Sequence, residues 1–497
     1  MKDILKAIVI GSGVAGMATA IRLAAQGFEV IVYEKNDYPG GKLYDFKLNG
    51  FHFDAGPVLF TQPQNIEELF ELVDENIAEY FEYIPVPVAC KFFYEDGIIL
   101  TAYTEEEKFA RELSEKIGED PDRTRKYLWQ SAKLYNNIGS VFLNHPIHKR
   151  PSIFNASILK AYSTLRWKYL FESMHRVNSA AFTKSHTIQL FDRYATYTGS
   201  DPYKAPAMLC LIPHLEFNEG VFYPKDGMIS IANALYKLAI KKGVQFQFNT
   251  PVQRIIHHDG KVRGVVANNM NITANVVVSN TDIYYACHYL LNDEATANKL
   301  LKQERSSSAL VFYWGIDSEF PQLHLHNIFF SKNYQSEFDH IFRSKKIYDD
   351  PTIYISITNK CERDLAPPDK ENWFVMVNVP ANSGQDWNAY KKEAKANIIA
   401  KLNRILHTEI EPLIEVEKTL DPVSIESETG AFRGALYGAS SNSKRAAFVR
   451  HPNFSDHIKG LYFAGGTVHP GGGIPLCLKS AKIVSELVAK DVKHFRH

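Results

Sequence analysis

The 497-residue sequence lacks a long apolar run. No uninterrupted apolar stretch approaches the length of about 18 residues that a membrane-spanning helix needs, so we expect no transmembrane segment. The chain also lacks repeats and low-complexity tracts, and its 45% apolar and 23% charged residues are typical of a globular protein. Disordered, collagen-like and coiled-coil chains are therefore excluded. What remains is a folded chain long enough for two or three hydrophobic cores.

The sequence also has few cysteines and no net charge. The five cysteines lie far apart, without a CxxC pair or a Cys/His cluster, so the sequence predicts neither a disulfide framework nor a metal site. A reducing cytoplasm is the predicted compartment. Lysine plus arginine and aspartate plus glutamate both count 56, which gives a formal net charge of zero. A neutral chain has no global field that attracts nucleic acid, and we expect no nucleic-acid partner.

The beginning of the chain has the pattern of a βαβ unit. Ala7–Ile10 is a short, β-branched run of the kind buried in a parallel sheet, and Gly11–Gly16 follows it directly. The composition of Met17–Gln26 favours a helix, and Phe28–Tyr33 is predicted as the second strand. A GxGxxG motif between strand and helix, with Glu34 placed 18 residues after its last glycine, predicts a dinucleotide site.

Each part of this motif has a physical role at a dinucleotide. Gly11 permits the tight turn, Gly13 lets the backbone approach a pyrophosphate, and Gly16 allows the helix and strand to pack closely. The helix N-terminus offers amide N–H groups and a partial positive charge. We expect Glu34 to accept hydrogen bonds from both hydroxyls of an adenosine ribose, and its charge disfavours the 2′-phosphate of NADP. The alternative is a structural glycine-rich turn beside an incidental surface glutamate.

Similar elements return later in the chain. A helix over 229–241, a strand over 244–248, a hairpin around Asp259-Gly260 and a buried strand over 274–279 are predicted in the middle of the chain. A strand, a glycine loop and a helix are predicted at its end. Residues from about 290 to 425 mix strands with a helix over 387–406. The predicted fold class is therefore α/β, with a discontinuous Rossmann-like domain and an inserted α+β domain of mixed or antiparallel sheet plus helices.

Three further segments carry a family resemblance. Pro39–Lys42, Phe51–Pro57 and Leu461–Pro475, together with the first glycine motif, resemble the amine oxidase and phytoene desaturase flavoprotein superfamily. The resemblance implies FAD, held extended across the Rossmann-like domain. The residues themselves agree, because a helix that starts near Leu476 after several glycines can direct amides and its dipole at the electron-rich pyrimidine end of a flavin. A plain glycine-rich turn is the alternative.

The resemblance also implies a set of cofactor contacts. Lys42 matches a family position near the flavin and pyrophosphate, although a lysine after two glycines could equally be solvated. Val252 matches a residue whose backbone contacts adenine. Many relatives use an acid in the C-terminal motif to bind ribityl hydroxyls, whereas this chain has Gly466-Thr467. The predicted FAD contacts are Gly11, Gly13, Val14, Ala15, Gly16, Glu34, Lys35, Gly41, Lys42, Gly56, Pro57, Val252, Gly465, Gly466, Gly473 and Ile474.

Domain boundaries follow from these assignments. The FAD-binding domain is predicted to comprise residues 1–75, 225–290 and 425–497, and the substrate-binding domain residues 76–224 and 291–424. Both domains are thus assembled from separate stretches of the chain.

A substrate class is implied by the segment 189–207. It is similar to the corresponding part of bacterial carotenoid desaturases, most of all the acyclic 1-hydroxycarotenoid 3,4-desaturases, in which the run Arg193–Tyr197 recurs. The resemblance implies that a C=C bond is introduced into an acyclic carotenoid, preferably a 1-hydroxycarotenoid at C-3,4, by hydride transfer to flavin N5 and proton loss. Phytoene desaturase, amine oxidase, carotenoid isomerase and a non-catalytic isoprenoid-binding relative are the alternatives.

Catalytic residues are the least constrained prediction. His469 and Arg193 are the predicted catalytic residues, with Asp192 and Glu216 as further candidates near the flavin, and a structural His469 that caps the glycine loop is equally plausible. If the substrate is hydroxylated, a polar side chain in the cavity should bind that hydroxyl, because a buried hydroxyl without a partner costs about 1–3 kcal/mol.

A basic and aromatic stretch suggests a membrane surface. Residues 149–184 contain seven basic side chains and one acid, interleaved with aromatic and aliphatic residues. Such a segment suits anionic lipid, and a carotenoid substrate arrives from lipid. We therefore predict peripheral association with the cytoplasmic face of the inner membrane. A solvated helix face packed on the core is the alternative.

Overall fold

A computed structural model describes residues 4–148, 168–443 and 450–495. The strands are β1 Lys6–Ile10, β2 Glu29–Tyr33, β3 Asp45–Leu48, β4 Phe51–Asp54, β5 Tyr83–Val86, β6 Val88–Phe93, β7 Ile99–Tyr103, β8 Val221–Pro224, β9 Gln245–Gln247, β10 Val252–His258, β11 Lys261–Ala267, β12 Met270–Thr273, β13 Val276–Ser279, β14 Ser308–Ile316, β15 His326–Phe329, β16 Ile353–Ile357, β17 Glu371–Val379, β18 Ile414–Leu420 and β19 Leu461–Phe463.

The α-helices are Val14–Ala25, Gln64–Glu71, Glu106–Ile117, Pro121–Leu134, Ser140–Asn144, Lys168–Phe171, Met174–Ala181, Ser185–Asp192, Pro213–Phe217, Ile229–Lys241, Ile283–Tyr285, Glu294–Leu301, Tyr334–Asp339, Trp387–Leu406, Pro422–Thr429 and Ile474–Phe495. Short 3₁₀ helices are Ile77–Glu79, Arg193–Thr198, Ala207–Leu211, Thr358–Lys360, Arg363–Leu365, Glu411–Leu413 and Phe432–Gly434, and π-helical turns are Tyr135–Gly139, Ala286–Leu290 and His340–Ser344.

A five-stranded parallel sheet forms the first layer, in the order β19-β13-β1-β2-β9. Its central strands are runs of Val, Ile and Ala, which are buried because helices cover the sheet. Helices Val14–Ala25, Ile229–Lys241 and Ile474–Phe495 share one hydrophobic cluster with it. This order places the carboxyl ends of β1, β13 and β19 side by side, which is where a doubly wound sheet binds its ligand.

A seven-stranded sheet forms the second part, in the order β18-β14-β17-β16-β15-β6-β7. Its pairs are antiparallel except for the parallel pair β15 and β6. Helix Trp387–Leu406 packs against β14 and β17 in one hydrophobic cluster, and the β3–β4 hairpin packs against the same two strands in another. The sheet is therefore covered by the helix and by a hairpin from the N-terminal part of the chain.

The predicted fold class is confirmed by these sheets and by the solved structures reported below. Helices 229–241 and 387–406 have the predicted bounds, and the hairpin turns at Asp259-Gly260. The first helix begins at Val14, earlier than predicted, because Gly13 has the extended backbone of an N-cap residue. The domain boundaries stay a prediction, although the strands of the five-stranded and seven-stranded sheets lie in different predicted domains.

The predicted membrane-contacting region is described only in part. Residues 149–167 lie outside the described residues, and the rest contains helices Lys168–Phe171 and Met174–Ala181. Within the three described ranges, no helix combines the length and the hydropathy needed to cross a bilayer.

Asp54 ends β4 as a buried carboxyl group. Its Oδ1 accepts a hydrogen bond from the Met228 amide at 2.9 Å, whereas Oδ2 has no partner within the described residues. Burial raises the pKa of Asp54 to about 7. The folded protein therefore holds this proton at pH values where the unfolded chain, with an ordinary aspartate pKa, has lost it.

We expect the contribution of Asp54 to the free energy of unfolding to fall as the pH rises from about 4 to about 7, because this carboxyl binds its proton more strongly in the folded than in the unfolded state. Asp54→Asn removes the ionisation. The free energy of unfolding of this variant, relative to wild type, should therefore rise by about 2–4 kcal/mol between pH values of about 4 and about 7. Denaturant unfolding at several pH values measures this difference. Asp364→Asn, at an exposed position, is the control. A wild-type-to-variant difference that stays constant with pH would contradict the prediction.

Candidate functional site

One side-chain amide joins two glycine corners. Asn280 directly follows β13; its Oδ1 accepts a hydrogen bond from the Gly16 amide at 3.0 Å, and its Nδ2 donates to the Ala464 carbonyl at 2.9 Å. A Cβ atom at Gly13 would lie 2.8 Å from Oδ1, and one at Gly465 would lie 2.6 Å from Nδ2. Both corners therefore need glycine where they pack against this amide.

The first corner opens helix Val14–Ala25, whose first residues are the predicted contacts Val14, Ala15 and Gly16. A Cβ atom at Gly16 would lie 2.1 Å from the carbonyl oxygen of Gly11, so only glycine allows the helix to start this close to the strand. No acidic side chain lies in the first turn of the helix. No side chain of that turn therefore repels an anion at the positive end of the helix dipole.

Glu34 is held against this corner. Its Oε2 accepts hydrogen bonds from the amide and hydroxyl of Ser12 at 2.7 and 2.8 Å, and its Oε1 accepts one from the Asn36 amide at 3.0 Å. The residue is only 5% exposed. Each carboxylate oxygen has two lone pairs, so these three bonds leave Oε1 with capacity for one further donor, such as a ribose hydroxyl.

A third glycine segment packs onto the first corner. The Gly40 amide donates to the Ser12 carbonyl at 3.0 Å, and a Cβ atom at Gly41 would lie 3.2 Å from Cα of Gly13. The Lys42 ammonium donates to the Leu436 carbonyl at 3.1 Å, and burial lowers its pKa. The Lys42 side chain is thus held inside the protein rather than in solvent.

One cavity of about 470 Å³ reaches Lys42 of the third glycine segment and the C-terminal glycine loop over 471–473, whereas the first glycine corner, Glu34 and Asn280 are not among its lining residues. The predicted cofactor residues that line it are Lys42, Gly56, Pro57, Gly473 and Ile474. The cavity continues between the seven-stranded sheet and the helices over 185–217, where most of its wall is apolar. Both predicted catalytic residues, Arg193 and His469, also line it. One space therefore connects Lys42 and the C-terminal glycine loop with the predicted substrate-binding region.

Arg193 and Glu216 form a buried ion pair in the cavity wall, with an Nη2–Oε2 distance of 3.3 Å. The hydroxyls of Tyr194 and Tyr197 also donate to Glu216. Burial disfavours the charge of Arg193, but the Glu216 carboxylate holds the pKa of Arg193 above its ordinary value. Asp192 does not line the cavity, because its carboxylate binds His175 and Asn178.

His469 is buried at the other side of the cavity. Its Nε2 hydrogen-bonds to the carbonyl oxygen of His145 at 2.9 Å, and Asn453 donates to the His469 carbonyl at 2.7 Å. Burial lowers the pKa of His469 to about 4. The ring is therefore neutral near pH 7 and carries its proton on Nε2, because a carbonyl can only accept.

The remaining predicted contacts lie in different surroundings. Gly465 donates its amide to Ser480 Oγ at 3.1 Å at the C-terminal corner. Val252 begins β10 in the core beside the parallel sheet. Lys35 is exposed, and its ammonium donates to the Ser427 carbonyl at 3.0 Å. Contact of each of these residues with a cofactor stays a prediction.

Sequence reasoning missed two polar residues at this site. Asn280 had a usable signal, because it follows a predicted buried strand of a parallel sheet. Arg450 had none. Its Nη1 donates to the Tyr437 and Gly466 carbonyls at 2.7 and 3.4 Å, and no carboxylate in the described part of the chain pairs with it. Burial lowers the pKa of Arg450 to about 10, which leaves a buried cation beside the second glycine corner.

Comparison with known proteins identifies the family. Residues 14–489 match the family described as flavin-containing amine oxidoreductase. The chain belongs to this family. It is 47% identical, over 97% of its length and 99% of the relative, to a 1-hydroxycarotenoid 3,4-desaturase from a Flavobacterium species. It is 31% identical to a 4,4′-diapolycopene oxygenase from a Methylomonas species, with 99% of each chain covered. Among solved structures, cyclohexylamine oxidase from Brevibacterium oxydans is similar with a TM-score of 0.63 at 14% identity, covering 99% of this chain and all of that one.

This flavin oxidoreductase has FAD as its cofactor, and the residues of the site fit that group. The buried Glu34 retains acceptor capacity, and the buried Arg450 cation has no carboxylate partner among the described residues. At Gly473, just before helix Ile474–Phe495, a Cβ atom would meet nothing within 4 Å, so space remains in front of the helix N-terminus. Backbone amides, a cation and a carboxylate acceptor at this edge of the sheet would therefore hold the anionic and hydroxylated parts of FAD.

We expect Asn280→Ala to weaken FAD binding about tenfold or more, because the amides and carbonyls of both corners lose their shared partner. Equilibrium titration of the apoprotein with FAD, followed by flavin fluorescence, measures the effect. Asn275→Ala is the matched control, since Asn275 lies before the same strand and its side-chain Oδ1 accepts from the Lys6 amide at the opposite edge of the sheet. Equal FAD affinity of the two variants would contradict the prediction.

Proposed function

We propose that this flavoprotein is an FAD-dependent desaturase that introduces a C=C bond into an acyclic carotenoid, with a 1-hydroxycarotenoid desaturated at C-3,4 as the preferred substrate. The observation that carries the proposal is one largely apolar cavity running from Lys42 and the C-terminal glycine loop into the seven-stranded sheet. The 47% identity to a relative named for this reaction supports it. A polyene matches such a cavity in polarity.

Bound FAD supplies the acceptor for the hydride removed from the substrate. The chain itself orients the substrate and excludes water, because the cavity wall is mostly aromatic and aliphatic. Arg193 stays protonated, so it can act as a hydrogen-bond donor or fixed charge but not as a base. In neutral His469 the Nδ1 atom is the acceptor, which makes it the atom to receive a proton if this residue is catalytic.

We also propose that the two predicted domains have separate binding roles. Residues 1–75, 225–290 and 425–497 would bind FAD, and residues 76–224 and 291–424 would bind the substrate. The location of the five-stranded sheet in the first set and the seven-stranded sheet in the second supports this division.

Anaerobic mixing with acyclic carotenoids tests the proposed reaction. We expect a 1-hydroxylated carotenoid to bleach the flavin absorbance and to yield a product that is two mass units lighter and absorbs at longer wavelength. The apoprotein is the control and should leave the carotenoid unchanged. An absorbance change without mass loss would indicate an isomerase, and binding without bleaching a non-catalytic carrier. Reaction only with an unhydroxylated carotenoid that has fewer conjugated double bonds would indicate a phytoene desaturase.

We further propose that the protein is cytoplasmic and binds the inner face of the membrane peripherally through residues 149–184. Exposed aromatic side chains beside this stretch support docking. Trp129 is 58% and Phe171 54% exposed. The Tyr169 hydroxyl, two residues before Phe171, donates at 3.4 Å to the side chain of Gln130, which follows Trp129. The ammonium of Lys133 lies 4.9 Å from the centre of the Trp129 ring. Aromatic rings with cations suit a lipid headgroup layer.

Neutralising Lys160, Arg166 and Lys168 together should weaken binding to anionic liposomes roughly a hundredfold, because each cation contributes about 1 kcal/mol near such a surface. Sedimentation with the liposomes measures the bound fraction. Neutralising the exposed Lys261, Arg263 and Lys302 is the matched control and should have little effect. Unchanged sedimentation of the first variant would rule out docking through this stretch.

A further inference from the structure

We propose that His326 and Arg193 together form a recognition site for a hydroxyl group on the substrate, with His326 as a specificity-determining residue. This inference rests on the proposed function and narrows its substrate class. The two residues come from separate elements, β15 and the 3₁₀ helix Arg193–Thr198, and both line the cavity.

His326 presents an unpartnered nitrogen. The residue is 2% exposed; its Nδ1 shares a hydrogen bond of 2.8 Å with the Tyr354 hydroxyl, whereas Nε2 has no partner among the described residues. Burial, and then the nearby charge of Arg193, lower the pKa of His326 to about 3. The ring is therefore neutral, and its Nε2 is either a free donor or a free acceptor, depending on the tautomer.

Arg193 presents a second unpartnered nitrogen. Its Nη1 donates to the Tyr197 hydroxyl and its Nη2 to Glu216, both at 3.3 Å, whereas its buried Nε has no partner in the described part of the chain. The guanidinium lies 4.5 Å from the ring centre of Tyr194 and 5.3 Å from that of Phe92. Aromatic faces thus cover the cation but leave the Nε–H without an acceptor.

These two atoms define the chemistry of the missing partner. Arg193 Nε–H can only donate, so the partner needs an oxygen that accepts, and a neutral imidazole nitrogen is satisfied by a group that both donates and accepts. A hydroxyl does both. A carboxylate is disfavoured because Glu216 already neutralises Arg193 and would repel a second negative charge. A wholly apolar polyene would leave both nitrogens buried without partners, which is unfavourable.

A pair of acyclic carotenoids that differ only in the C-1 hydroxyl tests the site. Their dissociation constants for the FAD-loaded protein are measured from the absorbance shift of the bound pigment, and anaerobic flavin reduction is recorded in parallel. We expect wild type to bind the hydroxylated form about tenfold or more tightly, and His326→Leu to bring the two constants close together. His326→Gln retains a donor and an acceptor and should retain much of the preference.

His324→Leu is the matched control. His324 lies two residues earlier in the same segment and does not line the cavity, so this variant should keep the wild-type preference. Thermal unfolding and flavin content establish that each variant is folded and loaded. The inference is overturned if wild type has no preference for the hydroxyl, as expected if only water occupies the site, or if His326→Leu keeps the full preference.

The two readouts separate this inference from the proposed reaction. A binding preference that disappears in His326→Leu supports the hydroxyl site even if neither pigment reduces the flavin, in which case the desaturase function fails alone. Reduction of the flavin by both pigments, with equal affinities, supports the desaturase function and overturns the hydroxyl site.

Discussion

Two hydrogen bonds from the Asn280 side chain connect glycine corners that come from opposite ends of the chain. Because β13 lies between β1 and β19, the residue that follows it lies next to both loops at once. The Asn280 side chain also fills the space that side chains at Gly13 and Gly465 would need. The cofactor edge therefore depends on contacts between three sequence-distant strands, and the glycines are a consequence of that packing.

The cavity poses a different energetic question. Burial of apolar surface normally stabilises a complex, but a carotenoid leaving lipid exchanges one apolar environment for another, so little of that free energy is gained. Discrimination among such substrates must then come from shape and from polar groups. The charged pair of Arg193 and Glu216 is suited to this purpose, because Tyr194 and Tyr197 complete the hydrogen bonding of the carboxylate inside the wall. A mostly apolar space thus contains one polar region, in which neighbouring side chains satisfy the carboxylate of Glu216 while Arg193 Nε keeps no acceptor among the described residues.

Local sequence predicted the elements far better than their long-range contacts. β-branched runs and glycine spacing predicted β1, β13 and the first corner, and helix-favouring composition predicted the bounds of Ile229–Lys241. The parallel pairing of β15 with β6 could not be predicted locally, because the hydrophobic pattern of each strand does not indicate the direction of its neighbour. Arg450 and His326 were likewise missed, because a buried cation or a buried imidazole acquires its meaning only from atoms that are distant in sequence.

The parallel sheet has a consequence for how the protein is made. β1 leaves the ribosome first, yet one neighbour, β13, is synthesised only after the middle of the chain, and β19 comes close to its end. Helix Ile474–Phe495, which shares a core with Val14–Ala25, is later still. The parallel sheet, and with it the nucleotide site, can therefore close only after the segments that contain β13 and β19 have been synthesised.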